Sequence, residues 1–330
     1  MSRNLALLTV VSALMAETTL ADAPNVVADI APVHSLVARV MDGVGTPDLI
    51  LPPGASPHEY SLRPSEASAL QGADIVVWMG PDLAPWMEDA VETLAADARN
   101  LSLLEADGTM LLDFREDALF EKHVHGHGEH DDHAEDHEDD HDHDHDHDHD
   151  DHSGHDHGNH SDHDSHAWLS PANAAIWVNL IAAELSSADP QNAGAYFANA
   201  AAAREELDAL TAEVNTVLAP VRGGSFITFH DAYQYFETAF DFPASGAISI
   251  SDAADPSPAR IAGIQQRVRD ENIGCVLAEP QFNPGLVTTV LDGTEANTAV
   301  IDPIGVDIEP GPSLYPQLIR NIANTLAECL

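Results

Sequence analysis

Sixteen of the twenty histidines in this chain lie between residues 121 and 165, mostly alternating with acids, as in the run HDHDHDH at 141–147. Imidazole is a good zinc ligand, and a neighbouring carboxylate raises its affinity for cations. The tract therefore predicts that the protein handles metal. It also leaves His34, His58, His166 and His230 as the histidines elsewhere, so a well-formed site outside the tract has few candidates.

Two of these four histidines follow predicted strands. His58 lies in the proline-stiffened segment PPGASPHEY at 52–60, and His230 follows the predicted strand 225–229. Ligands of open α/β sheets bind outside the carboxyl ends of the strands. His166 lies where the acidic tract ends, before the segment AWLSP. We expect these three side chains to meet in one cleft.

Three histidines from separate loops are a typical ligand set for zinc, which then needs one oxygen donor to complete a tetrahedron. Glu59, Asp302 and water are all candidates for the fourth ligand, since Glu59 adjoins His58 and Asp302 follows a predicted strand. A single histidine more often caps a helix or hydrogen-bonds within a loop, but three at matching positions favour a site. His34 is a weaker candidate, for lining the cleft or supporting a ligand.

Catalysis has no support in the sequence. The string HEDDH at 137–141 formally matches the HExxH zinc-protease motif, which requires a helix within a core. Here it lies in a tract made of little except His, Asp and Glu, where such a string arises by chance. The chain has no GxSxG, P-loop or dinucleotide fingerprint, so we predict that it is not an enzyme.

The formal net charge is −44, from 12 basic and 56 acidic residues. Such a surface repels nucleic acid and anionic membranes and attracts divalent cations. Arg3, an apolar stretch at 5–16 and the A-x-A site at 21–23 predict a cleaved signal peptide over residues 1–23. In an exported protein, the two cysteines, Cys275 and Cys329, are best interpreted as a disulfide.

Strand and helix patterns alternate in two separate parts of the chain. Continuous apolar strands are typical of buried parallel sheets, so we predict an α/β protein whose two lobes each have a central parallel or mixed sheet. The first part has predicted strands at 25–30, 48–51, 74–79 and 100–104 and helices at 33–41, 64–71 and 85–96. The second has strands at 225–229, 247–251, 274–278 and 298–301 and helices at 232–240, 258–271, 285–291 and 313–327.

Helical patterns at 171–185 and 190–218 connect the two parts, and the second is long enough to form a rigid spine along both lobes. We predict an N-terminal lobe at 24–170, a helical linker at 171–221 and a C-terminal lobe at 222–330. The tract at 121–165 has almost no apolar residues and cannot bury a core. It is predicted to be a disordered loop inserted in the first lobe.

At its motifs the chain resembles the cluster A-I metal-binding solute receptors of ABC transporters, specifically their zinc-binding branch. The resemblance covers nearly all of residues 25–330. It rests on LPPGASPHEYSLRPS at 51–65, VWMG at 77–80, HAWLSP at 166–171, FHDAYQYF at 229–236, AEPQF at 278–282 and DPIG at 302–305.

The resemblance implies two lobes joined by a long helix, with metal in the cleft between them and His58, His166 and His230 as ligands. Manganese-binding members use two histidines and two carboxylates, with the first carboxylate at the position of His230 here. Imidazole in place of a hard oxygen donor favours zinc over manganese. Histidine-rich loops just before the second ligand are also typical of the zinc branch.

The implied function is to capture Zn(II) as cargo in the periplasm and deliver it to an inner-membrane ABC permease, with the protein acting as a monomer. The tract would bind further zinc weakly, as an antenna, reservoir or sensor. Two alternatives remain open, a manganese receptor of the same family and a free-standing periplasmic zinc chaperone. A separate zinc chaperone is also a candidate partner.

Overall fold

The computed structural model describes residues 23–115, 120, 163–249 and 256–330. These residues form two α/β lobes, each built on a four-stranded sheet. The predicted signal peptide lies outside the described residues except for Ala23, and most of the histidine-rich tract, at 121–162, lies outside them as well.

The first lobe has a wholly parallel sheet with strand order β2-β1-β3-β4. Its elements are β1 (Val26–Ala28), α1 (Ala31–Val40), β2 (Asp48–Leu49), α2 (Pro64–Gln71), β3 (Ile75–Trp78), α3 (Pro85–Leu94) and β4 (Arg99–Ser102). In the register, Val27 lies opposite Asp48 on one side and Val76 on the other. The chain therefore switches direction across the sheet between β1 and β3.

The second lobe repeats this arrangement with the strand order β6-β5-β7-β8, again all parallel. Its elements are β5 (Phe226–His230), α6 (Gln234–Phe240), β6 (Ala247–Ser249), α7 (Pro258–Asp270), β7 (Cys275–Ala278), α8 (Pro284–Leu291), β8 (Asn297–Val300) and α9 (Leu314–Cys329). The prediction of α/β lobes is confirmed, and of the two sheet types allowed, the described strands form the parallel one.

Two further helices, α4 (Pro171–Ala188) and α5 (Ala193–Leu218), lie between the lobes in sequence. Side-chain hydrogen bonds determine where these two helices begin. Ser170 Oγ accepts a hydrogen bond from Asn173 N at 3.3 Å at the first turn of α4, a typical N-cap. The spine helix begins at Ala193 rather than at 190 as predicted, because Asp189 and Asn192 form the turn, with Asn192 Nδ2 donating to Asp189 Oδ2 at 2.6 Å.

Helix α5 packs against α1 of the first lobe and against α6 and α9 of the second. It has 26 residues, which corresponds to a length of about 39 Å. Its buried residues recur every three or four positions and form one stripe: Tyr196, Ala200, Ala203, Leu207, Leu210, Val214 and Leu218. Together with α1, α4 and α9, this stripe belongs to one apolar core that includes strand residues of both sheets.

Buried hydrogen bonds also cross between the lobes. Trp168 Nε1 donates to Pro303 O at 2.7 Å, and Tyr315 Oη donates to Trp168 O at 2.9 Å. The N-terminus of α9 is fixed to α1 because Tyr315 N donates to Ser35 Oγ at 2.9 Å. The lobes are therefore joined by a shared core and by specific polar contacts beneath the cleft.

The two cysteines form the predicted disulfide. Cys275 begins β7 and Cys329 ends α9, with their Cα atoms 5.8 Å apart and both residues buried. The bond attaches the C-terminal helix to the sheet of the second lobe. Among the described residues, no helix is long and apolar enough to cross a membrane.

Candidate metal centre

His58 lies on the loop that follows β2, and this loop is held in place from both sides. Trp86 Nε1 of α3 donates to Pro57 O at 2.7 Å, and Tyr60 packs edge-on against the Trp86 ring. His58 N also donates to Ser56 Oγ at 3.2 Å. The prolines and the tryptophan thus present a half-buried imidazole at the carboxyl edge of the first sheet.

His166 is buried just before a short 3₁₀ turn at Ala167–Leu169. Its Nδ1 lies 2.7 Å from Asp164 Oδ1, and its backbone N donates to the same oxygen at 3.0 Å. Burial raises the pKa of Asp164 to about 7, opposed first by the hydrogen bond from His166 N and then by Arg115. The turn and Asp164 together fix both the backbone and the ring of His166.

Residues 163–165 are more ordered than predicted. They belong to the tract predicted to be a disordered loop, but Asp164 and Ser165 are each 1 % exposed. Asp164 N donates to Leu112 O at 2.8 Å, and Tyr235 Oη of α6 donates to Asp164 O at 2.8 Å. The predicted disordered loop therefore does not reach Asp164 and Ser165. These two residues are buried, and Asp164 positions His166.

His230 is the last residue of β5 and is buried. Its Nδ1 lies 2.8 Å from Glu279 Oε2 and 2.9 Å from Oε1, and its backbone N donates to Glu279 Oε1 at 3.2 Å. Glu279 directly follows β7, the strand that pairs with β5. The pair therefore occupies the point where the strand order of the second sheet reverses, which is the usual ligand position in such sheets.

The three histidines come together. One potential ligand nitrogen from each of His58, His166 and His230 lies within 4.8 Å of the others, which makes this a candidate metal-binding group. The ring centroid of His166 lies 5.3 Å from the ring centroid of His58 and 5.3 Å from that of His230. Ligands from three separate elements of both lobes thus point at one place.

Two of the rings are oriented by carboxylates. A metal-bound histidine usually donates its other ring N–H to a carboxylate or carbonyl, which fixes its tautomer and raises its basicity. Nδ1 of His166 is directed at Asp164 and Nδ1 of His230 at Glu279, so Nε2 is the candidate ligand atom of each ring. Both carboxyl groups are buried, so water screens their interaction with the rings only weakly.

The other predicted site residues lie differently. Glu59 is exposed on the wall of the cleft, outside the three-histidine group. Asp302 Oδ1 accepts from Ile304 N at 3.0 Å and Oδ2 accepts from Val306 N at 2.5 Å, so this carboxylate caps the DPIG loop. His34 is buried in α1 with Nε2 3.1 Å from Pro47 O, away from the group.

A charged cluster lies next to the centre. Arg115 Nη2 donates to Glu237 Oε2 at 2.8 Å, and its Nη1 lies 3.3 Å from Asp231 Oδ1. Burial raises the pKa of Asp231 to about 7, and the nearby Arg115 guanidinium opposes this rise. Since Asp231 follows His230 directly, this cluster ties the segment before the tract to the second lobe beside a candidate ligand.

The histidines face a cavity of about 230 Å³ between the lobes. Its walls come from both halves of the chain, and its lining residues are Ser56, Pro57, His58, Glu59, His166, Trp168, His230, Glu279, Gln281, Phe282, Pro303 and Ile304. Phe282 stacks on Phe229 with ring centroids 4.3 Å apart and lies edge-on to His230 at 5.4 Å. The cavity is therefore lined by apolar rings as well as by nitrogen donors.

The site residues predicted from the sequence do not include Asp164, Glu279 or Arg115. Glu279 follows the carboxyl end of β7, the same kind of position that indicates His230 as a ligand. Asp164 lies within the acidic tract, where nothing distinguishes it from its neighbours in the sequence. Nothing in the spacing of the sequence signals that Arg115 pairs with Glu237, which lies 122 residues away.

Two parallel sheets joined by a spine helix, with three histidines converging between them, define a class of bilobed metal-binding receptors. The family model ZnuA, described as zinc-uptake complex component A, periplasmic, matches residues 26–329. The chain therefore belongs to this family.

Relatives and solved structures agree with the assignment. The chain is 47% identical over 306 residues to the high-affinity zinc uptake system protein ZnuA of Brucella abortus strain 2308, covering 93% of this chain and 91% of that protein. It is 44% identical over 313 residues to the protein of the same name from Paracoccus denitrificans, covering 94% and 93%. A crystal structure of ZnuA has a TM-score of 0.71 at 20% identity, covering 93% of this chain and 99% of that one.

Proposed function

We propose that this chain binds Zn(II) in the periplasm through His58, His166 and His230 and delivers it to an inner-membrane ABC permease. The observation that carries the proposal is the convergence of these three imidazoles, within 4.8 Å, in the cleft between the lobes. Zinc is the cargo of such a site rather than a resident cofactor. The names of the relatives, all high-affinity zinc uptake proteins, support the same cargo.

The donor chemistry favours zinc over manganese. Within the described part of the chain, the close group of ligand atoms holds three imidazoles and no carboxylate, whereas Mn(II) prefers oxygen donors. Asp164 and Glu279 contribute behind the rings, where they raise the basicity of the ligands without entering the coordination sphere. Manganese remains the alternative cargo, to be decided by direct competition.

The remaining parts of the chain have proposed roles that fit this cargo. Residues 1–23 act as a signal peptide, 24–170 and 222–330 as the two lobes, and 171–221 as the helical linker. The histidine-rich tract at 121–165 binds additional zinc weakly and serves as an antenna or sensor. Its last residues, His163, Asp164 and Ser165, lie immediately before His166, so that captured ions would be held close to the cleft. The protein acts as a monomer, and a periplasmic zinc chaperone is a candidate donor.

The test is a competitive titration of the full mature chain with Zn(II) and Mn(II), using a chromophoric chelator. We expect one tight zinc site, and loss of the tight event in each of His58→Ala, His166→Ala and His230→Ala. His163→Ala is the matched control. His163 is the last histidine of the tract, and its Nδ1 lies 3.0 Å from Asp113 Oδ1, outside the three-histidine group. A tight event that survives all three substitutions, or tighter binding of Mn(II), would contradict the proposal.

A cellular experiment separates a transport receptor from a free-standing chaperone. Deletion of the gene should slow zinc uptake and growth in zinc-poor medium, and excess zinc should restore growth. The His230→Ala protein should fail to complement, whereas the His163→Ala protein should complement fully. Normal zinc accumulation in the deletion strain would favour the chaperone.

A further inference from the structure

The cleft is larger than one zinc ion requires. A water molecule in the liquid occupies roughly 30 Å³, whereas the cavity facing the three histidines has a volume of about 230 Å³. An ion bound by His58, His166 and His230 would leave space for several further non-hydrogen atoms. Three nitrogen ligands also leave at least one coordination position of zinc open.

Nearby carboxylates are engaged elsewhere or lie apart. Both oxygens of Asp302 accept backbone N–H groups of its own loop. Glu279 is held against Nδ1 and the backbone N of His230. Glu59 lines the cavity but is exposed and outside the close group. The open position therefore faces the cavity, where a donor that arrives with the metal has room.

The cavity wall also carries groups that suit a small organic molecule. Gln281 lines it, and its side-chain Oε1 is buried without a hydrogen-bond partner among the described residues, while its Nε2 lies 3.4 Å from Asp302 Oδ1. This oxygen can accept a hydrogen bond from an amino group. Phe282 adds an apolar face stacked on Phe229, and Glu59 places an acidic side chain in the wall.

We propose that the cleft binds zinc as a ternary complex with one small amino acid, whose nitrogen or carboxylate donor fills the position left open by the three histidines. Gln281 accepts a hydrogen bond from the ligand and Phe282 covers its side chain. This inference rests on the proposed zinc site. It extends that site from a free ion to the zinc–amino acid complexes that an ion forms in a solution containing amino acids.

The experiment is equilibrium dialysis of the full mature chain with one equivalent of Zn(II) and radiolabelled L-histidine as the probe. A triple variant, His58→Ala/His166→Ala/His230→Ala, keeps the histidine-rich tract and reports what the tract retains. The radioactivity retained by the triple variant is subtracted from that of the full chain. We then expect about one molecule of free L-histidine bound per chain, and only with zinc present, because one position of the zinc tetrahedron is open. With Co(II) as the metal, added histidine should change the visible spectrum of the full chain and not that of the triple variant.

Gln281→Ala should weaken histidine retention about three- to tenfold, the equivalent of one hydrogen bond. Gln317→Ala is the matched control, since this glutamine is exposed on α9. Tight, triad-dependent zinc binding without retained histidine and without a spectral change would overturn the ternary complex and leave the zinc site intact. Loss of the tight zinc event itself would overturn both.

Discussion

His230 ends β5 and Glu279 directly follows the neighbouring strand β7, and their side chains meet at 2.8 Å, from Oε2 to Nδ1, in the crevice where the strand order of the second sheet reverses. The histidine is thereby presented by a rigid sheet edge rather than by a loop. Asp164 orients the ring of His166 in a similar way, from two residues earlier in the chain. The candidate metal centre is thus built from ligands whose orientation is set before an ion arrives.

Glu279→Gln should weaken zinc binding about 10- to 100-fold, because metal-bound histidines depend on a carboxylate partner to that extent. The glutamine keeps the size of the side chain and removes the charge that stabilises the ring N–H. Zinc affinity by chelator competition is the measurement. Glu295→Gln, at an exposed position, is the control, and an unchanged affinity in Glu279→Gln would show that the carboxylate does not tune the ligand.

Zinc affinity of the cleft should fall as the pH drops, because imidazole binds zinc only in its unprotonated form. Protonated imidazole cannot bind the ion, so each ligand that is protonated must lose its proton when zinc enters. The dependence should approach three protons per zinc at acid pH, one for each imidazole ligand, and flatten once all three ligands are unprotonated. Titrations between pH 5.5 and 8 measure the slope; a flat profile would exclude imidazole ligation.

Much of this architecture could be predicted from the sequence, and the exceptions have physical reasons. Continuous apolar strands such as β3 (Ile75–Trp78) indicate a parallel sheet because both faces are buried, and strand ends locate His58 and His230. Contacts such as Trp168 to Pro303, 135 residues apart, depend on how the lobes pack. No local spacing encodes them, and the same holds for the buried Arg115 cluster.

Trp168→Phe should destabilise the protein by about 1–3 kcal/mol, because it leaves the buried Pro303 carbonyl without its 2.7 Å donor. Phenylalanine also lacks part of the buried indole ring, so the loss combines the hydrogen bond between the lobes with the cost of a small cavity. Denaturant unfolding of the ion-free protein measures it. Trp86→Phe removes a similar bond, to Pro57 O within the first lobe, and serves as the comparison.

Trp168→Phe should also accelerate zinc release if the hydrogen bond from Trp168 to Pro303 keeps the lobes together around His166. Stopped-flow transfer of zinc to an excess of chelator measures that rate. Equal release rates for Trp168→Phe and the unaltered protein would confine the bond to a role in stability.

Replacing the disulfide, as in Cys275→Ala/Cys329→Ala, should lower the free energy of unfolding by about 4 kcal/mol in the chain-entropy model. The bridge spans a sequence separation of 54 residues and attaches α9 to β7. Neither cysteine lines the metal cavity, so zinc affinity of the folded variant should stay within about threefold, or less than 1 kcal/mol. Unfolding curves with and without reductant measure the first effect. A large loss of zinc affinity would instead mean that α9 controls the cleft.

Asp29 should make the ion-free protein less stable as the pH rises from about 4 to 7. Burial raises its pKa from 3.8 to about 7, opposed by hydrogen bonds from Met79 N and Ile30 N. A raised acid pKa means that the folded state holds a proton that the unfolded chain has already lost. The resulting stability is therefore full below the unfolded pKa and disappears as the pH passes the folded one.

Asp29→Asn removes this titration, so the stability of the unaltered protein relative to the variant should fall between pH 4 and 7.5, by an amount on the order of 4 kcal/mol. Urea unfolding of both proteins at several pH values measures the difference, and the comparison cancels the titration of the many other acids and histidines. Asp74→Asn, which removes a carboxylate that accepts from Asn25 N at 2.8 Å in an exposed setting, is the control for the substitution itself. A difference between Asp29→Asn and the unaltered protein that stays constant with pH would mean that the two backbone donors keep Asp29 ionised despite its burial.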